Sequence, residues 1–452
     1  MSLNIPTEYR RAGWYTVVLL IVNVVGDGWS GRPSPFVHQI ILLPFTLIFF
    51  VGMRQFLFAG STSNHGAAIW TPRRALWLAV ALELLTVVAF LYERTHFAAV
   101  GYRLNPVAAA AVFVPSVLLL GMLAASRVVH AGRAFAISLC IYVAGVVLSV
   151  AQFPLTYLRS DMLSVILWAD TNLLHHINPY ALIYVADRVY AFPYLPGMLI
   201  AYLPFVAAHV DVRLGSMLFM LGAAVLVFCS ARFDRRTEVA ALLALFLLCP
   251  FFQYRHELYI QPHWLILVLA FVLMQRRRFA WAAFVFGLGM AIYQFSWILF
   301  PFFVLNALRR RGWMEAAKLS LFGAIGALAV LGPFLASATK RIANNTVGQW
   351  QKAAHAGADP VNLSYWVTYL IHPSQLLKLQ AVLMIAIFIY CFVRNRCADF
   401  ADTLRWMVVA LTVFIPLNVL VDGYFYLMLL VVMLVFTCVA NGWWREPSAA
   451  IS

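Results

Sequence analysis

Residues 239–252 read VAALLALFLLCPFF, and residues 198–210 read MLIAYLPFVAAHV. Neither alternates in polarity and neither keeps a polar stripe at helical spacing, so the surroundings must be apolar on every side. Runs of roughly 15 to 20 such residues recur from Trp14 to Ala440, each near the length at which a helix crosses a hydrocarbon core of about 30 Å. Transmembrane barrel strands would instead show segments of about 10 residues alternating in polarity. The whole chain agrees. Of its 452 residues 64% are hydrophobic and only 11% charged, with a mean hydropathy of +0.86, values foreign to a soluble domain. The expected fold class is an all-α polytopic membrane protein.

The net charge of +15 raises the question of nucleic acid, and its placement answers it. The basic residues stand in short clusters between apolar segments: Arg10-Arg11, Arg73-Arg74, Arg127 with Arg133, Arg276 to Arg278, Arg309 to Arg311, Arg394 with Arg396, and Arg445. That is the positive-inside pattern of cytoplasmic loops, not a nucleic-acid surface. Acidic residues, among them Asp27, Glu93, Asp161, Asp170, Glu257, Asp359 and Asp422, fall mostly on the other side. Of the six cysteines, Cys140, Cys229, Cys249, Cys391 and Cys438 lie in apolar segments and Cys397 in an Arg-flanked loop, so no disulfide framework or zinc spacing follows. Arg10-Arg11 precede an apolar stretch without a clear cleavage pattern, which reads as a first helix and not as a leader.

Spans are expected at 14–27, 37–53, 76–92, 107–126 and 134–153, which from a cytoplasmic N-terminus bring residue 154 out on the far face. Residues 154–191 are polar and aromatic, too long for a turn without a purpose. Further spans follow at 192–209, 214–231, 238–253, 259–275, 279–293, 295–308 and 317–337, then a second polar stretch at 338–375 and spans at 376–394, 406–421 and 424–441. Four full crossings between 192 and 275 would put Arg276 to Arg278 outside, so one segment in 192–231 is expected to be re-entrant, to pack beside the bilayer, or to be wrongly assigned. Both termini are then cytoplasmic, and 154–191 and 338–375 share the outer side, where together they could roof a cavity.

Within the first outer stretch, Leu163, Ile166, Leu167, Asp170 and Leu174 set a largely apolar stripe at helical spacing, an amphipathic helix lying along the interface. Asp161 opens it. A carboxylate at the bilayer edge is partly desolvated and can take a proton from an attacking hydroxyl; equally, Ser160 or Asp161 can simply cap the helix. Asp170 and Asp187 read as solvated interface residues. His175, His176, His256, His263 and His355 lack the spacing and acidic partner of a zinc site and read as interface polar residues, so no metal or other cofactor is expected. Glu83 lies inside an apolar span, either neutral and bonded to a neighbouring helix or touching lipid or an acceptor. Trp168, Trp264, Trp297, Trp350 and Trp366 suit sugar stacking and equally suit membrane interfaces.

SDMLSVILWADTNLLHHINPY at 160–180 followed by FPYLPGMLIAYLP at 192–204 resembles the first outer loop of GT-C glycosyltransferases, notably family 87, the polyprenol-phosphate mannosyltransferase type. Asp161 matches that family's acidic residue, Asn178-Pro179-Tyr180 its NPY, and Phe192 to Pro196 its tyrosine–proline element. His176 stands where the family has Gly, and Tyr194 and Leu195 split the paired prolines. LLCPFFQYRHELYIQPHWLILVLAFVL, FGLGMAIYQFSWILFPFFVLNALRRRGW, LGPFL and NLSYW extend the likeness through residue 366, with Gln294 where a Lys is usual. The resemblance implies a GT-C-like core at 134–375 holding both outer loops, additional helices at 1–133 and C-terminal helices at 376–452, with 13 to 15 transmembrane or re-entrant helices in all. It implies an inverting hexosyl transfer, mannosyl if the likeness is close, from a polyprenyl-phosphate sugar donor to a lipid or glycan acceptor of the cell envelope, on the outer face of a bacterial inner membrane. Asp161 is then the general base. Arg159, Arg255, His256, Lys340 and Arg341 are candidates for the departing phosphate, each equally readable as a snorkelling cation. Asp170, His176, Asn178, Tyr180, Tyr194, Gln294, Trp350 and His355 complete the substrate-binding candidates. Two other classes stay open. A lipid-linked sugar flippase would carry charges deep in several spans, and an envelope polysaccharide polymerase or ligase would not need the early Asp161.

Overall fold

The computed structural model describes residues 71–97, 105–155, 161–180, 183–184, 190–249, 252–253, 259–356, 367–368, 370–418 and 426–445. The expected spans at 14–27 and 37–53 lie outside the described residues. In chain order the helices are α1 Pro72–Phe97, α2 Pro106–Ala125, α3 Ala131–Gln152, α4 Asp161–Leu174, α5 Pro196–Ala207, α6 Val212–Ser230, α7 Arg236–Leu247, α8 Gln261–Gln275, α9 Phe279–Ile292, α10 Phe295–Arg311, α11 Trp313–Ala356, α12 Pro373–Val393, α13 Phe400–Leu417 and α14 Tyr426–Ala440. Between α4 and α5 a two-residue antiparallel pair, β1 Ile183–Tyr184 and β2 Tyr190–Ala191, closes the loop. Among the described residues six helices, α2, α3, α6 and α12 among them, are long and apolar enough to cross a membrane, and the protein is a helical membrane protein by length and composition.

Two expectations change. Helix α5 has 12 residues, about 18 Å of rise, so of the two segments in 192–231 it is the one too short for a full crossing. The stretch 338–375 is not simply a loop: α11 runs on to Ala356, interrupted at Ala338, whose backbone (φ −148°, ψ 25°) leaves the helical region. No proline occurs between Pro333 and Pro360, and Ala338 and Ile342 are buried one turn apart, so the polar residues there ride on a helix with an apolar underside.

The chain divides into two compact units. The first combines residues 1–154, 224–256 and 426–445. Here α1 packs on α2 and α7, and α3 on α2 and α7. Val239 to Leu247 of α7 are all buried, as are Leu427 to Cys438 of α14, so these two segments, apolar on every face, are enclosed by protein. Phe90 meets Phe113 edge-on at 4.9 Å, seating α1 against α2.

The second unit holds residues 155–223 and 257–425. Its tightest approach is between α9 and α11. A methyl group on Gly287 would lie 2.0 Å from the Gly323 carbonyl oxygen, and one on Gly326 would lie 2.1 Å from that of Phe284. Small residues at a crossing are how membrane helices gain dispersion contact where lipid supplies no hydrophobic drive. On the polar rim, Asn306 Nδ2 donates to the Cys397 carbonyl at 2.8 Å and Arg310 Nε to that of Ala398 at 2.9 Å, joining α10 to the turn before α13.

Candidate functional site

Asp161 is the first residue of α4, eight residues beyond Phe153, the C-cap of α3. Its side chain, like those of Trp350 and His355 within α11, lies outside the described residues, as do Arg159, Arg255 and His256 altogether. The helix it opens buries Leu163, Ile166 and Ala169, while Trp168 on the far side is 58% exposed. That division is the amphipathic pattern of an interfacial helix.

Asp170 does not behave as a solvated residue. Its position three and four residues on from Leu167 and Ile166 turns it inward with the apolar stripe, and it is fully buried. Neither carboxylate oxygen meets a donor among the described residues. Burial pushes the carboxyl up to about 8, because the charged form loses its hydration and gains no hydrogen bond in return.

Helix α4 ends in a Schellman turn. His176 N–H donates to the Leu173 carbonyl at 3.0 Å and Ile177 N–H to that of Asn172 at 2.8 Å. The geometry requires a left-handed residue at 176, and His176 has φ +60°. Glycine would adopt this conformation without the cost that the His176 Cβ carries. Asn178 Oδ1 then accepts from Tyr180 N–H at 2.9 Å, an Asx turn that aims Tyr180 back under the helix end. The buried Tyr180 hydroxyl donates to the Tyr194 carbonyl at 2.8 Å, and burial raises its phenol well above the ordinary value.

From there an aromatic chain runs through the second unit. Tyr180 meets Phe192 edge-on at 5.3 Å and Phe334 of α11 at 6.3 Å; Tyr194 lies 4.2 Å from Tyr259, and Tyr259 6.0 Å from Tyr293. No protein-family model, curated protein or solved structure matches the chain. The geometry therefore has to be read on its own terms.

Of the sequence candidates, the structure brings Asn178, Tyr180 and Tyr194 together. Gln294 is half-buried at the N-cap of α10, next in sequence to Tyr293 and so at the end of the aromatic chain. Lys340 and Arg341 are exposed beyond the Ala338 break, and His176 is exposed at its turn. Sequence reasoning passed over Tyr259 and Tyr293, since tyrosines scattered over three segments carry no local pattern. It also misplaced His263, which is no interface residue: it is fully buried, with Nε2 2.5 Å from Ser296 Oγ and its ring 5.4 Å from that of Tyr293. Trp264, fully buried beside it, is packed and not free to stack on a ligand.

Among the described residues no three His, Cys, Asp or Glu side chains gather as a metal site would require. In the first unit an open groove of about 360 Å³ lies between α1 and α2, lined by Leu84, Phe90, Leu91, Phe113 and Val114 among others. It offers hydrocarbon contact and no reacting group.

Proposed function

We propose that the chain is an inverting GT-C-type glycosyltransferase of a bacterial inner membrane, with 13 to 15 transmembrane or re-entrant helices and its site on the outer face. It moves a hexose, mannose if the resemblance to family 87 is close, from a polyprenyl-phosphate donor to a lipid or glycan acceptor. One observation carries the reading. The two elements that the resemblance pairs in sequence, Asn178-Pro179-Tyr180 and Phe192 to Pro196, are joined by the Tyr180 hydroxyl bond to the Tyr194 carbonyl, on a loop whose leading helix starts at Asp161.

In the proposed reaction Asp161 takes the proton of the acceptor hydroxyl as that oxygen attacks the anomeric carbon. The new bond forms on the face opposite the breaking one, and the lipid phosphate leaves with the electron pair of the old glycosidic bond. Configuration inverts. Negative charge collects on the phosphate in the transition state, and Arg159, Arg255, His256, Lys340 or Arg341 would stabilise it there. Tyr194, with Tyr259 behind it, supplies an apolar, aromatic wall of the kind sugars stack against.

Asp161→Asn should lower hexose transfer by roughly 10²- to 10⁴-fold, the usual worth of a positioned general base, in membranes holding the wild-type amount of protein. The assay is incorporation from a radiolabelled polyprenyl-phosphate hexose. Undiminished transfer would remove Asp161 from the mechanism and return the polymerase or ligase class to consideration.

A further inference from the structure

The first unit contains a polar pair that the proposed transfer does not use. Glu83 lies within α1, in the span read at 76–92, and is fully buried. Its Oε2 accepts from Gln253 Nε2 at 2.8 Å. Gln253 is also fully buried, and α3 meets it from another side: a methyl group on Gly145 would come within 2.4 Å of Gln253 Oε1, so glycine lets the amide keep this position.

Two oxygens of the pair, Glu83 Oε1 and Gln253 Oε1, are buried and accept from no donor among the described residues. A carboxylate there would leave both bare in an apolar bundle, a costly arrangement without a cation. No described cation bonds to Glu83. Helix α2 carries no ionisable residue. On α7, Arg236 lies over the rings of Phe228 and Phe233, and Glu238 accepts from Arg235. On α1 itself Arg73 donates to the Ser126 carbonyl, and Arg133 of α3 is three turns from Gly145 and exposed. Buried Tyr142 and Ser149 flank Gly145 by one turn each on α3, and buried Cys249 precedes Gln253 by four residues; all are neutral groups.

A carboxylic acid resolves what a carboxylate cannot. One proton on Glu83 Oε1, donated to Gln253 Oε1, closes a ring of two hydrogen bonds, amide N–H to acid carbonyl and acid O–H to amide carbonyl. Both orphaned oxygens are then satisfied by the same atom. We propose that Glu83 and Gln253 form a proton-binding site, in which a single exchangeable proton bridges acid and amide and joins α1 to the segment after α7.

The test uses the full chain in lipid nanodiscs. An infrared difference spectrum of wild type minus Glu83→Gln at neutral pH should show the carbonyl stretch of a protonated carboxyl, shifted on transfer to D₂O. Glu83→Gln should also keep the wild-type Tm, because its amide N–H replaces the acid O–H in the ring, whereas Glu83→Ala and Gln253→Leu should lower it. The proposal fails if the band is missing. It fails equally if Glu83→Gln loses as much stability as Gln253→Leu, or if the band or the Tm depends on sodium or potassium, since either result means that the oxygens hold a cation. Should Glu83→Ala not fold, the band and the Glu83→Gln comparison still decide.

Discussion

At the scale of single residues, Asp170 on α4 and His176 in the turn that ends it each carry a measurable consequence. Asp170 is polar and near the bilayer edge, which suggested hydration, but a helix repeat of 3.6 residues turns it to the same side as Leu163 and Ile166. With its carboxyl raised from 3.8 to about 8, the folded chain keeps a proton that the unfolded chain has lost between those two values. The folded state binds more protons there, so its stability falls as pH rises across that window and levels off above it. Asp170→Asn should remove this slope, leaving a Tm that is flatter with pH and higher than wild type at pH 8; an unchanged slope in a thermal scan series would assign the proton to another group. His176 carries φ +60° at the end of α4. His176→Gly should hold or raise the stability, while His176→Val, a β-branched residue in the left-handed region, should lower the unfolding free energy by about 1–2 kcal/mol in chemical or thermal unfolding.

Elements were the most legible scale. Each expected apolar segment from 76–92 onward overlaps one of α1 to α3 and α5 to α14, although α11 runs to Ala356, well past the expected end at 337, and α5 is too short for a full crossing; helix existence follows from apolar length and helix ends from local turn chemistry. The ends repeat one device: His209 after α5, Arg277 after α8 and Asn395 after α12 are all left-handed, each followed by an N–H reaching back five residues to a carbonyl of the last turn. Arg277 and its neighbours thus fall where carbonyls and the helix dipole favour cations. Side-chain patterning could not show how closely helices approach. Gly287, Gly323 and Gly326 are unremarkable in an apolar run, yet they set the α9–α11 contact. Gly326→Ala should destabilise the protein by about 1–3 kcal/mol through overpacking against the Phe284 carbonyl, measured as a lower Tm in detergent, with Gly332→Ala, which meets nothing, as the control.

For the whole molecule, charge distribution predicts sidedness directly. In a cysteine-free background, single cysteines at 277 and 395 should react with an impermeant maleimide only from the cytoplasmic side, and cysteines at 175 and 370 only from the outer side. Labelling of 175 and 277 from one side would overturn the orientation on which Asp161 is placed. Hydropathy and its periodicity by themselves determined that the chain is a helical membrane protein, roughly where its helices lie, and that an amphipathic helix opens at Asp161, since each depends only on a contiguous segment. The tertiary structure alone decided that Asp170, Glu83 and His263 are buried, that Tyr180 reaches Tyr194, and that Tyr259 and Tyr293 extend that contact. Burial and hydrogen bonding depend on which remote segments share a neighbourhood, and in a chain whose helices are apolar nearly all round, hydrophobic pattern cannot say which face meets which.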